Sequence, residues 1–190
     1  GATVSVSGRG TFIGFALGAS ALDFGRVRLD RTTTRSLAVS NRGNLRLEIT
    51  TTSSSNSQFS VDPKQFNVEG GASQTAIVTF APTKEGRVSA SLTLSGNADS
   101  SKVVSLVGEG VRPLLSLSAS ALDIGKVPVD SLRAKGVVLR STGTDTVEIS
   151  LLSGLQAPFS FSPPQRARLA PGDSSVVSIS LTPTITGTFR

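Results

Sequence analysis

The 190-residue chain contains no cysteine, histidine, methionine, tryptophan or tyrosine. Each absence excludes something. Without cysteine there is no disulfide, no thiolate nucleophile and no zinc finger. Without histidine the commonest general acid–base group and the commonest metal ligand are both missing. A Ser-His-Asp triad, a Cys–His pair and a HExxH zinc site cannot be assembled from this chain alone. Charge is scarce as well: 17% of residues, with a net of +6. Hydrophobic residues make up 37%, too many, at too low a charge, for a disordered chain. No apolar run approaches the roughly 20 residues of a membrane-spanning helix. No signal peptide is present and the chain starts at Gly1, so a mature or excised piece of a longer protein is expected. The lack of cysteine suits an oxidising, extracellular setting. We expect no enzyme and no cofactor.

What remains is rich in Ser, Thr, Val and Leu, a composition that favours strands, because β-branched side chains fit a pleated, half-buried surface. An internal repeat organises it. Ala21-Leu22-Asp23-Phe24-Gly25-Arg26-Val27 returns 100 residues later as Ala121-Leu122-Asp123-Ile124-Gly125-Lys126-Val127. The same offset relates Gly43 to Gly143, Ile49 to Ile149 and Phe59-Ser60-Val61 to Phe159-Ser160-Phe161. After a one-residue insertion, Gly71, Phe80, Pro82 and Gly86 match Gly172, Leu181, Pro183 and Gly187.

The repeat is out of phase with the chain. Val4, Val6, Gly8 and Gly10 match Val104, Leu106, Gly108 and Gly110. The first residues therefore read as the last strand of a repeat whose body lies elsewhere. At the other end Arg190 falls at the position of Ser89, so counterparts of Ser91 to Gly110 are not among these residues. Three segments are expected: residues 1–12, a terminal strand of a preceding repeat or a donor strand; residues 13–111, a whole domain; and residues 112–190, an incomplete one.

Within a repeat, apolar residues alternate with polar or small ones. Leu37 and Val39; Leu45, Leu47 and Ile49; Ala76, Val78 and Phe80; and Val88, Ala90, Leu92 and Leu94 each follow a period of two. That is the pattern of a half-buried strand. Turn signals separate the runs at Asn41–Asn44, Glu69–Gly71, Pro82–Gly86 and Ser95–Asn97. No long window has a helical period. The expected fold is all-β: two tandem immunoglobulin-like β-sandwiches, the second lacking its last strands.

The ordered set Leu22-Asp23-Phe24-Gly25-x-Val27, Val39-Ser40-Asn41-Arg42-Gly43, Phe59-Ser60-Val61, Phe80-Ala81-Pro82 with Gly86, and Leu106-Val107-Gly108-Glu109-Gly110 resembles the ASH/Hydin-like Ig-fold repeat. That repeat also occurs in bacterial secreted proteins with choice-of-anchor D domains and is related to major sperm protein and PapD-like domains. The second repeat departs from the pattern at Arg140-Ser141-Thr142-Gly143 and Leu181-Thr182-Pro183. The resemblance implies a structural or adaptor role with no common catalytic site.

Several residues invite a functional reading. Asp23 and Asp123 recur in the LDxG motif and are expected to accept a local backbone N–H in a turn. Arg26, Arg28, Arg31 and Arg35 form a basic stretch suited to a polyanion, but no tyrosine or tryptophan is present to stack nucleic-acid bases. The run Thr50 to Ser57 reads as a solvated loop, an alternative being an O-glycan carrier. Asp145 and Glu148 are the nearest approach to an acid–base pair.

The phase shift raises the sharper expectation. A sandwich short of strands exposes its core and unpaired backbone groups, which an extended segment from a neighbour can satisfy. Thr3-Val4-Ser5-Val6-Ser7 is a suitable donor strand, with Val4 and Val6 on one face. The expected function is thus a structural segment of a bacterial cell-surface filament or stalk. Its partners would be copies of itself or neighbouring repeats of the same long protein, with no nucleic acid and no membrane insertion. Alternatives are an intracellular ASH-type scaffold of cilium or cytoskeleton and a carbohydrate- or polyanion-binding module.

Overall fold

A computed structural model of the chain describes residues 1–150, 154–162 and 167–190. The chain is all-β: none of the described residues is helical, so none forms a helix long and apolar enough to cross a membrane. It divides into two compact units, Gly1–Gly110 and Val111–Arg190.

The first unit contains β1 (Phe15–Leu17), β2 (Ala21–Arg28), β3 (Thr33–Asn41), β4 (Leu47–Ser54), β5 (Phe59–Asp62), β6 (Phe66–Val68), β7 (Ser73–Phe80), β8 (Gly86–Gly96) and β9 (Lys102–Val111). They form a four-stranded sheet in the order β1-β3-β7-β5 and a five-stranded sheet in the order β2-β9-β8-β4-β6. The antiparallel register of β3 on β7 pairs Leu37 with Ala76. That of β8 on β9 pairs Leu92 with Val104 and Ala90 with Leu106. Leu37, Val39, Ala76, Val78 and Phe80 from one sheet, and Leu92, Leu94, Val104 and Leu106 from the other, have no solvent exposure. Burying each larger side chain stabilises the unit by about 1.5–3 kcal/mol before entropy is counted. Phe24, Phe59 and Phe80 cluster at centroid separations of 4.6–5.8 Å, which serves where other sandwiches use a disulfide and a tryptophan.

Two close contacts fix how β9 crosses this core. A Cβ on Gly108 would sit 2.4 Å from the Phe80 ring. One on Gly110 would sit 2.1 Å from the Lys84 carbonyl oxygen and 3.1 Å from Leu29. Gly108→Ala should therefore displace the Phe80 ring and destabilise the first unit by about 1–3 kcal/mol, measured by urea unfolding. An unchanged midpoint would mean that the strand shifts freely.

Asn41 ends β3 and is 1% exposed. Its Oδ1 accepts from the N–H groups of Gly14 and Gly43, both at 3.0 Å, and its Nδ2 donates to the carbonyls of Leu45 (2.6 Å) and Val68 (3.0 Å). One side chain thus ties together the segment before β1, the turn after β3 and the end of β6. Two sequence expectations need correction nearby. Leu45 lies outside β4 and is 43% exposed, because the turn held by Asn41 delays the strand to Leu47. Thr50–Ser54 are strand rather than loop, since β8 offers them a partner: Thr52 pairs with Leu94 and Ser54 with Leu92.

The second unit contains β10 (Leu115–Leu117), β11 (Arg133–Ser141), β12 (Val147–Glu148), β13 (Phe159–Phe161), β14 (Arg168–Leu169) and β15 (Ser174–Leu181). Its four-stranded sheet, β10-β11-β15-β13, repeats β1-β3-β7-β5 strand for strand. Its other sheet is reduced, among the described residues, to β12 and β14. Residues 121–127 are nearly the same sequence as β2, yet they form no strand. The cause is topological. In the first unit β2 pairs with β9, and the C-terminal part of β4 pairs with β8. Counterparts of those partners are not among these residues, and unpaired backbone has no reason to hold an extended ladder.

Candidate functional site: an open groove on the second unit

In the first unit Leu92, Leu94, Val104 and Leu106 close the sandwich over Phe24, Phe59 and Phe80. The repeat equates that floor with Ile124, Phe159 and Leu181. In the second unit the space above it is a cavity of about 900 Å³, lined by Leu117, Leu122, Ile124, Val137, Leu139, Phe159, Val177 and Ile179 among others. A second hollow, of about 490 Å³, continues along residues 122–129 to Leu181 and Pro183. Among the described residues Leu139 and Val177 of this lining pack with Val147 and Leu169 in a buried cluster. Sequence reading did not single out these lining residues. The signal was available, since Leu122, Ile124 and Val137 match Leu22, Phe24 and Leu37 of the closed core.

Polar anchoring differs between the repeats. Ser141 stands where the first unit has Asn41; it is fully buried and its hydroxyl has no hydrogen-bond partner among the described residues. A serine is too short to reach the four backbone groups that Asn41 spans, so the second unit lacks that internal tie.

Residues 1–14 carry no secondary structure. Gly10 is held by Asn44, whose Nδ2 donates to its carbonyl at 2.9 Å. Ahead of it Val4 and Val6 are 86% and 91% exposed. Thr3 to Ser7 therefore form an exposed arm with two bare β-branched side chains.

The other singled-out residues do not converge on a site. Oδ1 of Asp23 accepts from Gly25 N–H at 2.8 Å, and Asp123 does the same with Gly125. Arg26 lies 4.0 Å from Glu109, and Arg31 lies 3.8 Å from Asp30. Arg35 donates to the carbonyls of Asp23 and Thr34 and sits 5.9 Å above the Phe24 ring. These arginines are drawn into local contacts with carboxylates, carbonyls and a ring. Arg28 also lies on β2 and is exposed. Asp145 lies in the turn after β11, and Glu148 on β12 pairs with Arg168 at 3.4 Å. Neither carboxylate lines the groove. Among the described residues no three Asp or Glu side chains gather into a metal site.

Comparison with known proteins agrees with this architecture. Residues 14–104 match the ASH family model (Abnormal spindle-like microcephaly-associated, ASPM-SPD-2-Hydin). Residues 113–190 match the HYDIN/CFA65/VesB-like Ig-like domain model. Both are Ig-like structural domains rather than enzyme families. No curated protein matches the sequence. Among solved structures, a Porphyromonas gingivalis W83 protein of unknown function is similar at 16% identity and TM-score 0.44, over 88% of this chain and 83% of that one. The ASH/PapD-like domain 7 of human CEP192 is similar at 13% identity and TM-score 0.48, over 58% of this chain and 94% of that one. The E. coli chaperone DraB is similar at 13% identity and TM-score 0.43, over 87% and 86%. The two family matches together span nearly all of the sequence, and in both of its repeats the chain belongs with the ASH/Hydin-like Ig-fold domains.

Proposed function

We propose that the chain is a non-catalytic structural segment of an extracellular or cell-surface bacterial filament or stalk, in which each open second unit is closed by residues 1–10 of a neighbouring copy. The observation that carries this reading is the apolar groove over Ile124, Phe159 and Leu181, together with an exposed arm whose sequence repeats a groove-closing strand. Strand addition suits such a site, because main-chain hydrogen bonds supply affinity and alternate side chains fill the floor. Contact between an arm and a different surface does not close on itself, so it generates an open chain of copies. The absence of cysteine supports the extracellular setting. The ASH match favours a second reading, an intracellular scaffold.

The test is assembly in solution. The 190-residue chain should form concentration-dependent oligomers by light scattering, and deletion of residues 1–10 should leave a folded monomer. Undiminished oligomers after the deletion would contradict the reading. Protease shaving of intact cells, with release of this chain, would separate a surface filament from an intracellular scaffold.

A further inference from the structure

Among the described residues of 111–190 nothing fills the slots of β8 and β9, and the geometry points to the β9 slot of a second copy as the place where the arm docks. This rests on the strand-addition reading above and adds the slot and the register.

The arm matches β9 better than β8. Against Val103–Gly110, Thr3–Gly10 keeps Val4, Ser5, Gly8 and Gly10 identical; against Ser91–Ala98 it keeps only Ser7 and Gly8. Gly8 suits either slot, since a Cβ on Gly96 of β8 would sit 1.8 Å from the Glu48 carbonyl oxygen; Gly10 is the glycine that β9 alone needs. Gly108 passes over Phe80, and Gly8 would pass over its counterpart Leu181. Gly110 packs against Pro82 and Leu29, and Gly10 would meet Pro183 and Val129. The β8 slot needs no glycine at the tenth residue, because Ala98 stands there. The link also fits: Gly10 precedes Phe15 at the spacing that separates Gly110 from Leu115.

The first unit supplies the register. Ser105 N–H donates to the Ser20 carbonyl at 2.9 Å, Arg26 approaches Glu109, and Leu29 meets Gly110. Residue numbers rise together, so β2 and β9 run the same way. A docked arm would then place Ser5 beside Ser120, Val4 and Val6 over the groove floor, and Arg9 beside Lys126. That last pair sets two cations where the first unit has Arg26 and Glu109. The arm also leaves the β8 slot beside Val147–Glu148 unfilled. The contact should therefore be reversible on dilution and favoured by salt.

Cysteine cross-linking of full-length chains tests this cleanly, since the chain has no thiol of its own. A Ser5→Cys chain mixed with a Ser120→Cys chain should give a disulfide-linked heterodimer, distinguished by mass from either homodimer. An Arg9→Cys chain mixed with a Glu148→Cys chain reports the β8 slot, because Asn97 N–H donates to the Glu48 carbonyl in the first unit. A heterodimer dominated by the first pair supports the register. Equal yields, or dominance of the second pair, overturn the register and leave strand addition standing. No covalent heterodimer from either pair, with a monomer at every concentration, overturns both. Arg9→Glu should lower the concentration at which the chain associates by about two- to fivefold at low salt; no change or weaker association would contradict the β9 placement.

Discussion

Asn41→Ala should destabilise the first unit by about 4 kcal/mol, a large share of the roughly 5–15 kcal/mol that holds a domain folded. The substitution removes one buried side chain and strands four backbone groups: the N–H of Gly14 and Gly43, and the carbonyls of Leu45 and Val68. A buried polar group left without a partner costs about 1–3 kcal/mol. Water should reach those nearest the surface, which holds the total below the full sum. Asn41→Ser should cost nearly as much, because the hydroxyl in the matching position of the second unit, Ser141, meets no hydrogen-bond partner among the described residues. Denaturant unfolding of the full chain measures the effect through the transition of the first unit. A loss under about 1 kcal/mol for either variant would show that the four groups find other partners.

The second large effect concerns the open unit. Appending a copy of Ala90–Val111 after Arg190 restores, in sequence, the strands that β8 and β9 supply to the first unit, since Arg190 stands at the position of Ser89. The appended Leu92, Leu94, Val104 and Leu106 would face Ile124, Phe159 and Leu181 in place of the phenylalanine trio. Their burial, together with new pairing for residues 121–127, should stabilise the second unit by several kcal/mol. At about 4–8 °C per kcal/mol for a domain of this size, its thermal transition should rise by about 10 °C or more. The same addition should abolish oligomers that depend on the arm, because the slot is taken in cis. A transition that does not move would mean that the groove floor has collapsed and no longer accepts a strand.

Much of this was legible in the sequence, and the exceptions share a physical cause. The period-two runs around Leu37, Ala76 and Leu92 mark core strands because burial on one face is a local property of a strand. The repeat offset also shows which counterparts of β8 and β9 are not among residues 111–190. However, the LDxG segments read alike at 21–27 and 121–127, while only the first is a strand. Strand formation depends on a partner far along the chain, and no window of sequence contains it. Thr50–Ser54 mislead in the opposite way: a run that looks like a polar loop becomes strand because β8 lies beside it. Asn41 reads as a turn former, and only its burial beneath converging backbone groups reveals a central polar tie. The groove residues were hidden for a related reason, since an apolar side chain that should be core looks the same whether or not its cover is present.

The central claim is that residues 111–190 contain no β9-type strand and that their groove accepts one from elsewhere. Amide hydrogen exchange read at residues 121–127 tests it most directly, in the chain held dilute enough to be monomeric and again with Ala90–Val111 appended. We expect fast exchange there in the monomer, while the matching residues 21–28 stay protected by β9, and slow exchange once the appended strands are present. Protection of 121–127 equal to that of 21–28 in the monomer, or no gain of protection with the strands in place, would contradict it.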